Sequence, residues 1–400
     1  MNNQIVILGA GFAGMMAALR LSRKLPKDAT TITLVNDSDM FVERTRLHQF
    51  ATGQHPKTRA IASLLRGTGV QFLQGRATAI QPDKRQLSVE TMPGTQSMNY
   101  DYLVYALGSR TDRERILGLE HAYTLDAADV AKLKDELPKV ATRRGRVLII
   151  GGGLTSIEAA TEIAETYPSA QVTLATRGGF GDDLSKEGAA HLRQVFERLH
   201  IHIRDHATIS RIEPNVAITN TGEQISFDVC VNCAGFVVPA LAREAGLVVN
   251  GAGQIIIDAL MRSVEHPEIY GAGDAAAFED EAHMPLRMAC NTAMPMAICA
   301  ADNLVAHLTS STPHPFAFGF GGRCISLGRR EGLVQMVDAR DVPQPRVVTG
   351  MAAVVFKEGI LRYVTSSLDA EKRFSLFRAP RTIVACIAHD VIQPVPVRVV

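Results

Sequence analysis

Three glycine-rich turns hold the residue types on which chemistry could be built: Gly9-Ala10-Gly11-Phe12-Ala13-Gly14, Gly151-Gly152-Gly153-Leu154-Thr155-Ser156 and Gly271-Ala272-Gly273-Asp274. In the first, Gly9 permits a tight turn, Gly11 lets the backbone approach a pyrophosphate with no Cβ in the way, and Gly14 lets a helix lie close on a strand. The N–H groups at that helix's N-terminus then face the anion. In the second turn Ser156 stands where a third glycine would be, and it is small enough for the same close packing. In the third, the Asp274 carboxylate can accept a hydrogen bond from a polyol such as the ribityl chain of FAD, or it can cap the helix that follows. Two dinucleotide sites in one chain suggest a hydride carrier beside a tightly held second dinucleotide, with electrons passing between them.

The elements that must position these turns follow from the pattern around them. Gln4 to Leu8 is an apolar run with β-branched residues that leads into the first turn, as a buried parallel strand does. A second strand, Thr31 to Val35, ends at Asn36, where an acidic side chain would normally hold a ribose hydroxyl; Asn36 can still accept a hydrogen bond. The donor-rich segment Phe41 to Gln49 offers Arg44 and Arg46 to a pyrophosphate, or to solvent. Residues 70 to 80 and 86 to 89 alternate like strands of a small antiparallel layer. Tyr102 to Ser109 reads as a buried strand that passes Ala106 and stops on Gly108. A helical period through Leu125, Val130, Leu133 and Leu137 leads to the second unit, Arg146 to Ile150 with its turn and helix. Its partner strand, Gln171 to Ala175, ends at Thr176-Arg177 with no acid, so both NADH and NADPH are open as donors. Phe227 to Phe236 is a further apolar strand, ending on Gly235. Arg287 to Ala297 leads into a helix with Thr292 as N-cap and Pro295 in its first turn. From residue 313 the chain reads as a small α+β cap. In it Arg381 to Ala388 is short and Pro394-Val395-Pro396 breaks any helix, which leaves a dimer contact, a substrate lid and a membrane patch all open.

Length and composition bound these readings. A chain of 400 residues is expected to form two or three domains, and 46% apolar with 21% charged residues is the balance of a soluble globular protein. The net charge of +1 without a basic run argues against nucleic acid as a partner. Six scattered cysteines and no signal sequence point to a reducing, cytoplasmic setting, with peripheral contact at the inner face of a membrane left open. No run is long enough to span a bilayer. Cys230 and Cys233 form a CxxC, but on a strand they face opposite sides about 10 Å apart, too far for a disulfide. No set of metal ligands is read.

In this order and spacing the glycine turns, with the Ala106-Leu107-Gly108 strand end, resemble those of the two-dinucleotide-binding-domain flavoproteins, the pyridine nucleotide-disulfide oxidoreductase superfamily. Within it the chain is most similar to type II NADH dehydrogenases and their AIF-like relatives, the ferroptosis suppressor proteins. The resemblance implies an α/β fold with two Rossmann-like domains: FAD held by residues 1–113 and 250–312, NAD(P)H by the inserted 114–249, and a small α+β C-terminal domain at 313–400. It implies FAD contacts at Gly9, Gly11, Phe12, Ala13, Gly14, Asn36, Arg44, Arg46, Ala106, Gly108, Gly273, Asp274 and Ala293, with the Ala77 backbone meeting the adenine. NAD(P)H would meet Gly151, Gly153, Thr155, Ser156, Thr176, Arg177 and Gly235. Glu158 matches a glutamate that stands beside nicotinamide and flavin, and Lys357 a flavin-site lysine. From the residues alone, Glu158 is equally a helix N-terminal acid stabilised by the dipole, and Lys357 a solvated lysine. The glutamine pair that the type II enzymes carry at the quinone edge appears here as Asn291 and Pro295. The implied activity is hydride transfer from NAD(P)H to flavin N5 and on to a quinone or another small organic acceptor. A ferredoxin-type reductase, a biosynthetic tailoring flavoenzyme and a non-enzymatic NADH-responsive module are the other readings, and a homodimer is open.

Overall fold

The apolar run before the first glycine turn forms the centre of a sheet. In the computed structural model, which describes residues 2–56, 58–280 and 283–374, the strand Asn3–Leu8 lies between Thr30–Asn36 and Tyr102–Tyr105. Gln71–Gln74 and Ile269–Gly271 complete the edges, and all pairings are parallel. Ile5 to Leu8 are buried. That is why the strand reads as a continuous apolar run rather than as an alternation: both faces are covered. The turn then enters helix α1 (Phe12–Lys24).

The short helix α2 (Leu47–Ala51) crosses from this layer to the next and packs on α3 (Ala127–Thr142) and α4 (Leu154–Thr166). The second sheet repeats the first in design. Its parallel order is Tyr123–Thr124, Val229–Asn232, Arg146–Ile150, Gln171–Ala175 and His202–Arg204, with α4 leaving the central strand through the second glycine turn. Helix α5 (Cys290–Leu308) returns to the first layer and packs on α1. A third, antiparallel sheet, Gly322–Ser326, Gly332–Val337 and Pro343–Thr349, runs into α6 (Gly350–Arg373), which lies across that sheet and touches α1. Arg20 of α1 staples both later helices. Its guanidinium meets Asp302 of α5 at 2.6 Å and Glu371 of α6 at 3.0 Å, with the arginine and the glutamate side chains almost wholly buried.

Several expectations need correction. Gln71–Gln74 does not belong to the antiparallel layer; it pairs in parallel with Thr33 to Asn36 as an edge strand, where partial exposure replaces the apolar run by an alternation. The antiparallel layer is instead Arg76–Gln81, Gln86–Thr91 and a third strand, Gly94–Asn99, which is almost wholly exposed and carries no apolar signal. Thr292 is not an N-cap. The helix begins after Ala289, and the Thr292 hydroxyl donates back to the carbonyls of Arg287 and Ala289, both at 2.7 Å. Pro295 accordingly sits a turn deeper than expected. Cys230 and Cys233 do face opposite cores. Burial pushes both thiols up, that of Cys233 to about 12. The segments 381–388 and 394–396 lie outside the described residues.

Candidate active site: a cleft between the glycine turns

The first glycine turn is shaped by contacts that only glycine satisfies. Gly9 has φ +95°, and a Cβ on it would stand 2.4 Å from the Ala106 carbonyl oxygen; a Cβ on Gly14 would stand 1.8 Å from the Gly9 oxygen. Gly11 is different. A Cβ there would meet no atom within 4 Å, because its position faces open space at the head of α1. The second turn repeats the contrast: a Cβ on Gly152 would strike the Thr176 hydroxyl at 2.3 Å, whereas Gly153, at the head of α4, faces nothing within 4 Å. Ser156 donates its hydroxyl to the Gly153 carbonyl at 2.6 Å and is fully buried, filling the place of the missing glycine. Each helix thus presents its first N–H groups to an uncovered cradle.

The first turn borders a cavity of about 990 Å³, and the head of α4 reaches it through Leu154 and Thr155. Gly9, Gly11, Phe12, Ala13, Asn36, Arg44, Ala106, Gly108, Gly273, Asp274 and Ala293 line it, as do Thr155, Glu158 and Lys357. The Asp274 carboxylate is half-buried and accepts the Ser109 hydroxyl at 2.7 Å, and it caps no helix. Burial raises its pKa, and the Ser109 bond and the charge of Arg44 offset only part of that. Arg44 donates to the Ser109 carbonyl and lies 3.7 Å from Asp126. Asn36 is held at both ends of its amide: Oδ1 accepts the Ala10 N–H at 2.9 Å and Nδ2 donates to the Ser38 carbonyl at 2.8 Å. A carboxylate could not make the second bond, so the residue type here serves the turn itself.

Other expected contacts fall elsewhere. Arg46 is not on the cavity wall; it forks onto Glu358 at 3.0 and 2.8 Å and reaches Glu43 at 3.1 Å, so its charge is spent on α6. Ala77 lies half-buried on its strand outside the cavity, Thr176 is buried behind Gly152, and Arg177 is exposed. Gly14, Gly151, Gly153 and Gly235 shape backbone without lining the wall, although Cys233 and Phe236 beside Gly235 do line it.

Where the three layers meet, the cavity wall carries a charged pair. Glu158 projects from α4 and Lys357 from α6, and the lysine Nζ donates to Glu158 Oε1. The same oxygen accepts the Ser326 N–H at 3.0 Å, and His48 Nδ1 of α2 stands 3.7 Å from Oε2. All three side chains are buried. Burial works against an ionised Glu158, yet the charge and hydrogen bond of Lys357 and the Ser326 amide hold its carboxyl below the ordinary range. Burial lowers His48 to about 4, against the attraction of Glu158, so the imidazole is neutral near pH 7. Its Nε2 has no hydrogen-bond partner among the described residues. The resemblance had marked Glu158 and Lys357; His48 lies in the donor-rich segment, but nothing in the local pattern separates it from its neighbours. One turn beyond Glu158, the buried Glu162 accepts Arg329 and Gln54 and ties the third sheet to α4. Among the described residues no group of three His, Cys, Asp or Glu side chains could hold a metal ion.

Comparison with known proteins fits this architecture. An NADH dehydrogenase-like protein of Mycobacterium tuberculosis is 26% identical over 326 residues, spanning 76% of this chain and 80% of the relative. The demethylphylloquinone reductase of Synechocystis is 27% identical over 343 residues (81% and 84%), and the type II NADH:quinone oxidoreductase of Staphylococcus haemolyticus 25% over 394 residues (89% and 94%). In fold the chain is similar to the sulfide:quinone oxidoreductase of Aquifex aeolicus, with a TM-score of 0.79 at 19% identity over 92% of each chain. The NDH2 of Plasmodium falciparum, solved with NADH, also gives 0.79, at 14% identity over 93% of this chain and 98% of that one. The family model for pyridine nucleotide-disulphide oxidoreductases matches residues 3–297 and so takes in all three glycine turns; this chain belongs to that family.

Proposed function

We propose that this protein is an FAD-dependent NAD(P)H oxidoreductase that passes electrons to a quinone or another small organic acceptor. The observation that carries this reading is the buried Glu158–Lys357 pair on the wall of one cavity that the first glycine turn and the head of α4 both border. The residues present fit FAD. Gly11 leaves a place that a Cβ would fill, Asp274 offers a half-buried carboxylate on the wall, and the cavity lies at the upper end of the roughly 300–1,000 Å³ of cofactor sites. In this reading residues 1–113 and 250–312 hold FAD: Gly9 and Gly11 to Ala13 at the pyrophosphate, Asp274 at the ribityl chain, and Ala106, Gly108 and Ala293 along the wall. Residues 114–249 hold the donor at the head of α4, where Thr155 lines the cavity and Cys233 and Phe236 flank Gly235 on the wall. With no acid at Thr176-Arg177, NADH and NADPH are both donors to test.

FAD, when bound, supplies the exchange between a two-electron donor and the acceptor. The chain supplies position and protons. The first turn of α5 brings a positive helix end to the wall at Ala293. Lys357 Nζ has three N–H groups, of which one is given to Glu158 Oε1, leaving donors for an acceptor oxygen that gains charge. Glu158 fixes the Lys357 amine in place, and the buried, neutral His48 covers the pair on the α2 side. Relatives named as quinone and demethylphylloquinone reductases support the acceptor class. Among the described residues no helix is long and apolar enough to cross a membrane. Peripheral membrane contact or a homodimer would engage the exposed Met351 and Val355 of α6.

Anaerobic titration of the FAD-loaded protein with NADH and with NADPH tests the reading. Bleaching of the flavin absorbance, followed by recovery on adding a quinone, is expected. Flavin that stays oxidised under both donors would rule the proposal out.

A further inference from the structure

A second charged group on the same wall is left with an unbalanced cation. Arg287, just ahead of α5, and Arg323, in the third sheet, both line the cavity and share one carboxylate, Asp341. Arg323 is fully engaged: Nε meets Asp341 Oδ1 at 3.1 Å, Nη2 the Asp341 carbonyl at 2.9 Å and Nη1 the Asp183 carbonyl at 2.6 Å. Arg287 is not. Its Nε lies 2.6 Å from Asp341 Oδ2 without hydrogen-bond geometry, Nη2 reaches the Gly322 carbonyl only at 3.5 Å, and Nη1 has no hydrogen bond among the described residues. The guanidinium rests on the Phe320 ring, 4.5 Å from its centroid, which fixes its plane.

Among the described residues, two guanidinium groups against one carboxylate leave a net positive charge in a partly buried place. Burial and the like charge of Arg323 lower the pKa of Arg287 despite Asp341, whereas the carboxylate partners of Arg20 and Arg46 raise theirs. Arg287, Cys324 and Lys357 all line this one cavity. A planar, always-charged fork with open N–H groups suits an organic oxyanion better than a neutral ring.

We propose that Arg287 anchors an anionic substituent, a carboxylate or sulfonate, on the electron acceptor, so that the preferred acceptor is a compact acidic aromatic compound rather than a neutral quinone. This rests on the function proposed above, since it assumes that an acceptor enters this cavity. The same guanidinium could instead serve a phosphate of the donor or of FAD, and the test separates these sources.

The FAD-loaded full-length protein and its Arg287→Gln variant are assayed with NADH against 1,4-naphthoquinone and its 2-sulfonate. The ratio of kcat/KM for the sulfonate over the parent is expected to fall about tenfold in the variant, the size of one lost charge-assisted hydrogen bond. An unchanged ratio overturns the proposal. A raised KM for NADH, or a loss of bound FAD or an altered flavin spectrum, assigns Arg287 to donor or cofactor and overturns it equally. Calorimetry on the unmutated protein needs neither turnover nor a variant. The redox-inert naphthalene-2-sulfonate should bind about tenfold tighter than the neutral naphthalene-2-sulfonamide, and equal binding sinks the anion site. If NADH fails to bleach the flavin while this contrast persists, the oxidoreductase reading falls and the anion site stands.

Discussion

At the scale of single residues, the proposed chemistry rests on the buried Glu158–Lys357 pair and the neutral His48 beside it. Glu158→Gln removes the counter-charge of a buried ammonium and is expected to slow flavin reduction or reoxidation about a hundredfold, the usual worth of a positioned proton-transfer group, with FAD retained. Stopped-flow traces of both half-reactions check it, and unchanged traces exclude Glu158 from the reaction. His48 gives a pH dependence with a definite sign. Its folded pKa, about 4, lies below the ordinary 6.5, so the unfolded chain takes up the proton first. Neutral His48 therefore contributes its full stability above pH 6.5 and loses it as the pH falls towards 4, by roughly 3 kcal/mol in all. Melting temperatures between pH 4 and 7 should fall less steeply in His48→Gln than in the unmutated protein. Glu158 and Lys357 were legible only through a family likeness, because no spacing rule joins residues 199 apart. His48 was not legible at all: what singles it out is burial beside Glu158, which a local pattern does not carry.

At the scale of elements, the strand–turn–helix units were the most readable part of the chain, since apolar run, glycine spacing and helical period agree there. The structure adds that the glycines do different work. Gly14→Ala drives a Cβ into the Gly9 carbonyl and is expected to prevent folding. Gly11→Ala adds a Cβ that meets nothing within 4 Å and is expected to keep stability within about 1 kcal/mol while cutting FAD retention at least tenfold. Flavin absorbance per protein, read beside the melting curve, distinguishes the two. Elements at sheet edges were misread for a common reason. Gln71–Gln74 and Gly94–Asn99 are partly or largely exposed, so their sequences carry little of the burial that betrays a strand. Helix α6 was hidden within the cap for a related reason, because it buries only a thin stripe including Ala353, Lys357, Leu361, Val364 and Leu368.

At the scale of the whole molecule, length alone predicted several domains, but not how they are clamped together. That clamp is ionic and buried. Arg20→Ala would strip Glu371 and Asp302 of their shared partner and is expected to cost about 3 kcal/mol, read as a lower denaturant midpoint with an unchanged slope. Arg46 makes a second link, from the segment before α2 to Glu358, the residue after Lys357. Arg46→Ala should leave FAD content unchanged and slow turnover several-fold by loosening the lysine, measurable as a fall in kcat at constant flavin occupancy.

The pairing of α4 with α6 has a consequence for biosynthesis. Both nucleotide cradles emerge from the ribosome well before the helix that bears Lys357. A nascent or truncated polypeptide can therefore present phosphate-binding loops while Glu158 still lacks Lys357, so under the proposed function turnover waits for α6.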